Sequence, residues 1–130
     1  MLNTRFVMVA SSTCLATGGA ACLFAPAELL SVLGMASGSP MVVQLLGALY
    51  LASAASNWTA RGSMIGGIYA RPLSVANFMH FVIGVAVLAK GLEPENLNLA
   101  YVLIVLIYLV FAVVFMLMLF GRHGRTIRSE

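Results

Sequence analysis

The stretch LNLAYVLIVLIYLVFAVVFMLMLF, residues 97–120, decides the fold because it holds no charged side chain. A helix of about 20 consecutive apolar residues crosses the hydrocarbon core of a bilayer. Three other charge-poor apolar runs precede it, at about residues 6–24, 41–60 and 72–88. Short connections after the second and third runs make their neighbours antiparallel. The sequence therefore predicts an all-α protein: a single integral membrane domain, residues 1–130, folded as a transmembrane four-helix up-down bundle.

The composition agrees with a membrane protein and argues against other classes. Hydrophobic residues make up 62% of the chain and charged residues 8%, with a mean hydropathy of +1.02. A soluble domain with so little polar surface would aggregate, whereas a bilayer solvates apolar side chains. The pI near 9.2 does not indicate nucleic-acid binding, because the arginines lie at the ends and in connections and form no basic face. We therefore expect the lipid bilayer as a partner, and no nucleic acid.

The charges between the runs are sorted by type. In a chain that crosses four times, Glu28, Lys90, Glu93 and Glu95 fall on one side of the membrane. The six arginines all fall on the other side: Arg5, Arg61, Arg71, Arg122, Arg125 and Arg128. Because basic residues are enriched in cytoplasmic connections, the sequence predicts that both termini and the second connection are cytoplasmic.

The first run, about residues 6–24, has two interpretations. Small residues crowd it, and such residues let membrane helices approach closely. Arg5, the apolar stretch and residues 25–27 also resemble the three regions of a cleaved signal peptide. Because the stretch is long and rich in helix-packing residues, we expect a retained span. Beyond it, Pro26 near the start and Gly34 at the end predict a short interfacial helix on the outer side.

One polar or small stripe runs along each predicted span, and the stripes should face one another because unsatisfied polar groups are costly in lipid. The helical rise puts Asn57 and Asn77 roughly 6–9 Å below the cytoplasmic interface, as partners across the second and third spans. His80 lies about 12 Å into the third span, near the midplane. The candidates for an intramembrane polar site are therefore His80, Asn77, Asn57, Tyr50, Tyr108 and Cys14, with Ser53 as the alternative to Tyr50.

His80 has a functional and a structural interpretation. An ionisable residue inside the membrane is a candidate for a proton relay or a ligand contact. We favour the alternative, a neutral histidine bonded to Tyr108 or a serine that helps to specify helix packing. Cys14 and Cys22 lie roughly 12 Å apart on one helix face, too far for a disulfide. With no ligand spacing and no nucleophile–base–acid arrangement, neither a metal site nor catalytic residues are predicted.

The second connection is a further candidate, for binding an anion or a lipid headgroup. Arg61, Gly66, Gly67 and Arg71 combine two guanidinium groups with backbone freedom. Glycine-rich backbone with arginine can hold a phosphate or a carboxylate. The alternative is a glycine-containing turn whose arginines only set the orientation of the chain.

Three central segments carry a family resemblance: NWTARGS at 57–63, GGIYARP at 66–72 and NFMHF at 77–81. With these segments the chain resembles small bacterial four-span membrane proteins, loosely similar to the DoxX-like group. The resemblance covers roughly the second and third spans. It implies a bacterial inner-membrane location and an accessory role beside quinone-linked or thiol-linked redox systems.

These observations leave three functional hypotheses. The first is a non-enzymatic accessory or lipophilic-ligand-binding subunit. The alternative is a membrane enzyme or redox subunit that acts on a lipid or quinone-like substrate through His80. The third is an oligomeric small transporter or channel. No resident cofactor is predicted, although a quinone or a lipid could bind, and the expected protein partners are further copies of the chain or a larger membrane complex.

Overall fold

The computed structural model describes residues 3–62, 70–92 and 98–121. Within these ranges all regular structure is helical, with five helices and no strand, which confirms the all-α prediction. The helices are α1 (Thr4–Phe24), α2 (Pro26–Val32), α3 (Pro40–Ala60), α4 (Ala70–Ala89) and α5 (Leu99–Phe120).

Three of these helices are long and apolar enough to cross a bilayer: α1, α4 from Arg71 onward, and α5. Much of their apolar surface faces outward, as with Leu103 and Val110 of α5. Together they indicate a membrane protein. Helix α3 has the same length as α1, and it is not among these three; it includes polar residues such as Gln44 and Asn57. A crossing by α3 and the cytoplasmic orientation of the two ends stay predictions.

Local capping accounts for several helix ends. The Asn98 side chain accepts hydrogen bonds from the backbone N–H groups of Ala100 at 2.9 Å and Tyr101 at 3.4 Å. Asn98 is thus the N-cap of α5, which satisfies N–H groups of the first turn. The helix begins at Leu99, two residues after the predicted start of the span. Helix α4 begins slightly earlier than residue 72, because Pro72 fits the first turn without losing a helical hydrogen bond.

A short helix forms between Pro26 and Gly34, as the sequence predicts, and it ends at Val32. Gly34 has φ +73°, and its N–H donates to the Ser31 carbonyl at 3.1 Å. The N–H of Met35 donates to the Leu30 carbonyl at 2.7 Å. This pair of bonds is a Schellman closure, which reverses the chain toward α3.

Helices α1 and α3 form one closely packed antiparallel pair. Ser12 Oγ donates to the Ala54 carbonyl at 2.7 Å, and Gln44 Nε2 donates to the Leu23 carbonyl at 3.3 Å. The later residue of α1 contacts the earlier residue of α3, so α3 runs back along α1 from Leu23 at least to Ser12.

The α1–α3 crossing depends on two glycines. A Cβ at Gly19 would lie 2.9 Å from the Gly47 carbonyl oxygen, and a Cβ at Gly47 would lie 2.9 Å from the Gly19 carbonyl oxygen. The two backbones therefore meet directly, as small residues permit in membrane helices.

Helices α4 and α5 form the second close pair. The Phe81 ring of α4 stacks on Phe111 and Phe115 of α5, with centroids 4.9 and 5.9 Å apart. The Tyr101 hydroxyl donates to the Leu88 carbonyl at 2.7 Å near the other end of the pair. Contacts between the two pairs are sparser than those within each pair. Across the pairs runs one apolar core, made of Val7, Met8, Leu15, Ala54, Phe81, Tyr108, Ala112, Phe115 and Met118.

Candidate functional site

Three polar aromatic side chains meet halfway along the helices. Tyr50, His80 and Tyr108 lie near the middle of α3, α4 and α5 respectively. At 1.5 Å per residue, each is about 14–15 Å from the first residue of its helix. We call these three residues the mid-helix cluster.

A hydrogen-bonded chain connects the mid-helix cluster. The Tyr50 and Tyr108 hydroxyls share a hydrogen bond, and Tyr108 Oη lies 3.3 Å from His80 Nε2. The His80 ring also stands edge-on to Tyr50 and tilted against Tyr108, with both centroid distances 5.5 Å. The Tyr108 hydroxyl thus joins the other two groups, and the cluster links α3 of one helix pair to α4 and α5 of the other.

Two arrangements of the protons are consistent with these two hydrogen bonds. In the first, the Tyr50 hydroxyl donates to Tyr108, and the Tyr108 hydroxyl donates to His80 Nε2. In the second, His80 Nε2–H donates to Tyr108, whose hydroxyl donates to Tyr50. Because a neutral imidazole carries one proton, the first arrangement puts it on Nδ1 of His80 and the second puts it on Nε2.

Glycines make room for both tyrosine rings. A Cβ at Gly84 of α4 would overlap two ring carbons of Tyr108, so only a glycine fits beside that ring. Gly18 of α1 faces the Tyr50 ring, which would lie 3.7 Å from a Cβ at that position. Phe81 packs edge-on against Tyr108, with centroids 5.3 Å apart. Apolar packing therefore holds the cluster, and its hydrogen bonds set the orientation of the hydroxyls.

A second polar layer lies toward the predicted cytoplasmic ends of α3 and α4. Asn57 Nδ2 donates to Asn77 Oδ1 at 2.9 Å, and Asn77 Nδ2 donates to Asn57 Oδ1 at 2.7 Å. Asn57 Nδ2 also donates to Ser11 Oγ at 3.1 Å, and Asn77 Nδ2 to the Leu73 carbonyl at 2.9 Å. Both amides are buried, and all of their N–H groups are used. The pairing predicted from depth is confirmed, and the layer acts as a closed polar clamp.

Cys14 lies beside the mid-helix cluster without joining its hydrogen bonds in the described part of the chain. Its thiol is half-buried and close enough to Tyr50 and Tyr108 for electrostatic interaction. Cys14 and Cys22 are both free thiols. The predicted alternative to Tyr50, Ser53, is half-buried one turn further along α3.

The predicted anion site is only partly within the described chain. Arg61 stacks on its own neighbour Trp58, 4.3 Å from the ring centroid, and donates to the Trp58 carbonyl. Arg71 is exposed at the start of α4. Gly66 and Gly67 lie outside the described residues. The described part of this connection therefore shows an arginine held against an aromatic ring, and the anion site stays a prediction.

Sequence reasoning missed two buried polar groups. Ser74 is fully buried on the same face of α4 as Asn77, one turn away, and that spacing was the available signal. Ser12 bonds the Ala54 carbonyl across the α1–α3 contact, which no spacing within one helix predicts.

Within residues 3–62, 70–92 and 98–121, no three His, Cys, Asp or Glu side chains come together as a metal site would require. Comparison of the chain with protein-family models, with curated proteins and with solved structures finds no match. The site is therefore interpreted from its own geometry.

Proposed function

We propose that this protein is a four-span protein of the bacterial inner membrane, with both ends in the cytoplasm, and that it serves as a non-enzymatic subunit that binds a lipophilic molecule. The observation that carries the proposal is the mid-helix cluster: three hydrogen-bonding aromatic side chains from three helices, about halfway through a hydrophobic bundle.

The antiparallel contacts support α3 as the fourth span. Because α1 is long enough to cross and α3 lies along it from Ser12 to Leu23, α3 reaches the same depth. The most polar side chain of α3 near its end, Asn57, is fully buried and faces α1 and α4, not lipid. A helix whose polar groups are satisfied inside the protein is tolerated in a bilayer.

The orientation is tested by labelling introduced cysteines from either side of sealed membrane vesicles, in a chain that lacks Cys14 and Cys22. Ser37, exposed between α2 and α3, should react from the periplasmic side only. Gly62, exposed after α3, should react from the cytoplasmic side only. Reaction of both positions from one side would exclude the crossing by α3.

The mid-helix cluster could bind a ligand through His80. The two tyrosine hydroxyls are already hydrogen-bonded to each other, whereas His80 is half-buried and part of its ring stays accessible. The accessory role follows the resemblance to DoxX-like proteins. Native mass spectrometry of the whole chain, released gently from its membranes, tests the proposal. Retained lipophile or a retained partner chain is expected, and bare protein at every detergent concentration would speak against it.

A redox or enzymatic role is the second candidate, and one observation favours it. The Tyr108 hydroxyl lies between His80 and Tyr50, and such a chain can pass a proton from one end to the other. If this role is correct, His80→Ala abolishes the activity while the protein still reaches the membrane at its normal level. Loss of the protein itself would instead identify His80 as a packing residue.

A further inference from the structure

One ring nitrogen of the mid-helix cluster, His80 Nδ1, has no hydrogen-bond partner among the described residues. Among the described residues, every buried side-chain nitrogen and oxygen has a hydrogen-bond partner. The hydrogen bond of the His80 ring is made by Nε2, to Tyr108. No hydrogen bond among those residues reaches Nδ1, so Nδ1 lies where another molecule can contact it.

The position of His80 on α4 shows which side that molecule would come from. One turn before and one turn after it, Ala76 and Ile83 are exposed on the outer face of the helix. Asn77 and Phe81, on the other side, are buried. His80 thus lies on the border between the apolar outer face and the core, which makes the lipid phase the route by which another molecule would reach it.

The surroundings select an uncharged molecule. The fully charged side chains of the described residues lie near helix ends or in connections, and they are Arg5, Glu28, Arg61, Arg71 and Lys90. None is available halfway along the helices to balance a charge on a ligand. Because an unpaired charge in the hydrocarbon core is costly, a charged headgroup is excluded from this depth.

The hydrogen-bonded chain also selects the polar group of the molecule. When Tyr50 donates to Tyr108 and Tyr108 donates to His80, both hydroxyl protons are used. In the reverse arrangement, the Tyr50 proton has no partner among the described hydrogen bonds. The first arrangement instead leaves the Nδ1 proton of His80 without a partner among the described residues, but that proton lies at the ring edge where an incoming acceptor can bond it. A ligand that accepts a hydrogen bond therefore completes the first arrangement, which has the imidazole proton on Nδ1. The free edge is therefore a donor.

From these observations we infer that His80 Nδ1–H binds the carbonyl oxygen of an uncharged lipophile that enters from the lipid phase, with Tyr108 holding the imidazole in the donating tautomer. The inference rests on the proposed function and specifies its ligand and its contact atom. A lipid-soluble quinone and a neutral ester both carry such a group, and their carbonyls present the same acceptor to Nδ1.

Nitrogen-15 NMR of the histidine ring tests this contact in the full chain. The sequence has two histidines, so His123→Gln leaves His80 as the single signal. The protein is labelled with 15N-histidine, placed in phosphatidylcholine nanodiscs, and titrated with decylubiquinone or methyl oleate. Octadecene, which has the apolar chain and no oxygen, is the matched control ligand. The free protein is expected to show a protonated Nδ1 and an unprotonated Nε2.

A saturable shift of the Nδ1 signal with decylubiquinone alone identifies the quinone carbonyl, and one with methyl oleate identifies the ester. Either result supports the inference. An Nε2-protonated ring, no shift with either carbonyl compound, or an equal shift with octadecene would overturn it. If native mass spectrometry shows retained lipophile while the His80 signals do not move, the binding function stands and the His80 contact is wrong.

Two tyrosine variants test the role of Tyr108. Tyr108→Phe should weaken binding roughly three- to tenfold, the effect of one hydrogen bond, because the tautomer is no longer held. Tyr101→Phe removes another buried hydroxyl of the same helix, bonded to Leu88, and should leave the Kd unchanged. Equal Kd values for the two variants would overturn the role of Tyr108. Circular dichroism verifies that both fold, and the wild-type titration stands without them.

Discussion

Gly19→Ala should weaken the α1–α3 pair, whereas Gly18→Ala should not. The two changes add the same methyl group to adjacent positions of one helix. At position 19 the new Cβ would lie 2.9 Å from the Gly47 carbonyl oxygen and 3.1 Å from Leu51 N, both backbone atoms. At position 18 it would lie 3.7 Å from a ring carbon of Tyr50, which is an ordinary contact.

The expected size of the difference follows from these distances. Packed heavy atoms prefer separations of about 3.5–4.0 Å, so α1 and α3 must move apart by roughly 0.5 Å to admit the methyl group of Gly19→Ala. Overpacking of this kind typically costs about 1–3 kcal/mol. The gain in helix propensity, about 1 kcal/mol, is common to both variants and cancels in the comparison. Gly19→Ala should therefore be about 1–3 kcal/mol less stable than Gly18→Ala.

Unfolding by SDS in dodecylmaltoside micelles, followed by far-UV circular dichroism, gives both free energies of unfolding. A lower value for Gly19→Ala, by the stated amount, supports a direct backbone crossing. Equal values would show that α1 and α3 do not meet at Gly19 and Gly47, and the described packing of the two helices would be wrong.

Three further substitutions probe the polar contacts and the glycine beside the ring. Asn57→Leu should lower the free energy of unfolding by about 1–3 kcal/mol because it leaves the buried Asn77 amide without its partner. The double variant with Asn77→Leu should recover part of this loss, and strictly additive effects in the same SDS titration would disprove the clamp. Asn98→Ala should lower the stability of the first turn of α5 by about 1 kcal/mol, because that turn loses its N-cap. Hydrogen exchange in this turn should become faster, and unchanged exchange would show that the cap is not needed. Gly84→Ala should displace the Tyr108 ring and alter the histidine 15N spectrum, and an identical spectrum would mean that the ring has other room.

Helical geometry explains why part of the site is predictable from the sequence. Period and rise alone place Asn57 opposite Asn77, and put His80 and Tyr108 in one layer, since both values are nearly constant in helices. The structure brings these residues into hydrogen-bond contact. Whether the mid-helix cluster has a function is a separate question, and it stays a prediction.

Contacts that depend on tertiary packing could not be predicted from the sequence. The sequence marks Gly19 as one of several small residues in α1, but it does not say which of them meets a backbone. Arg61 was a candidate for an anion site or a residue that only sets orientation, and neither is tested; its stacking on Trp58 depends on a side-chain conformation that spacing does not determine. Hydropathy also takes no account of hydrogen bonds between helices, such as those that satisfy Asn57 of α3, and the crossing by α3 stays a prediction.

The depth of the mid-helix cluster in the bilayer is the quantity on which the proposals depend, and spin labels can measure it. Leu49, Met79 and Ile107 are exposed, each one residue before a member of the cluster. In a chain with Cys14 and Cys22 replaced by alanine, a nitroxide at each position is compared for collisions with oxygen and with a water-soluble nickel complex. All three labels should lie at one depth near the bilayer centre, with high oxygen and low nickel accessibility. Deep labels at Met79 and Ile107 with a water-accessible label at Leu49 would show that α3 does not cross and that no lipophile site exists at this depth.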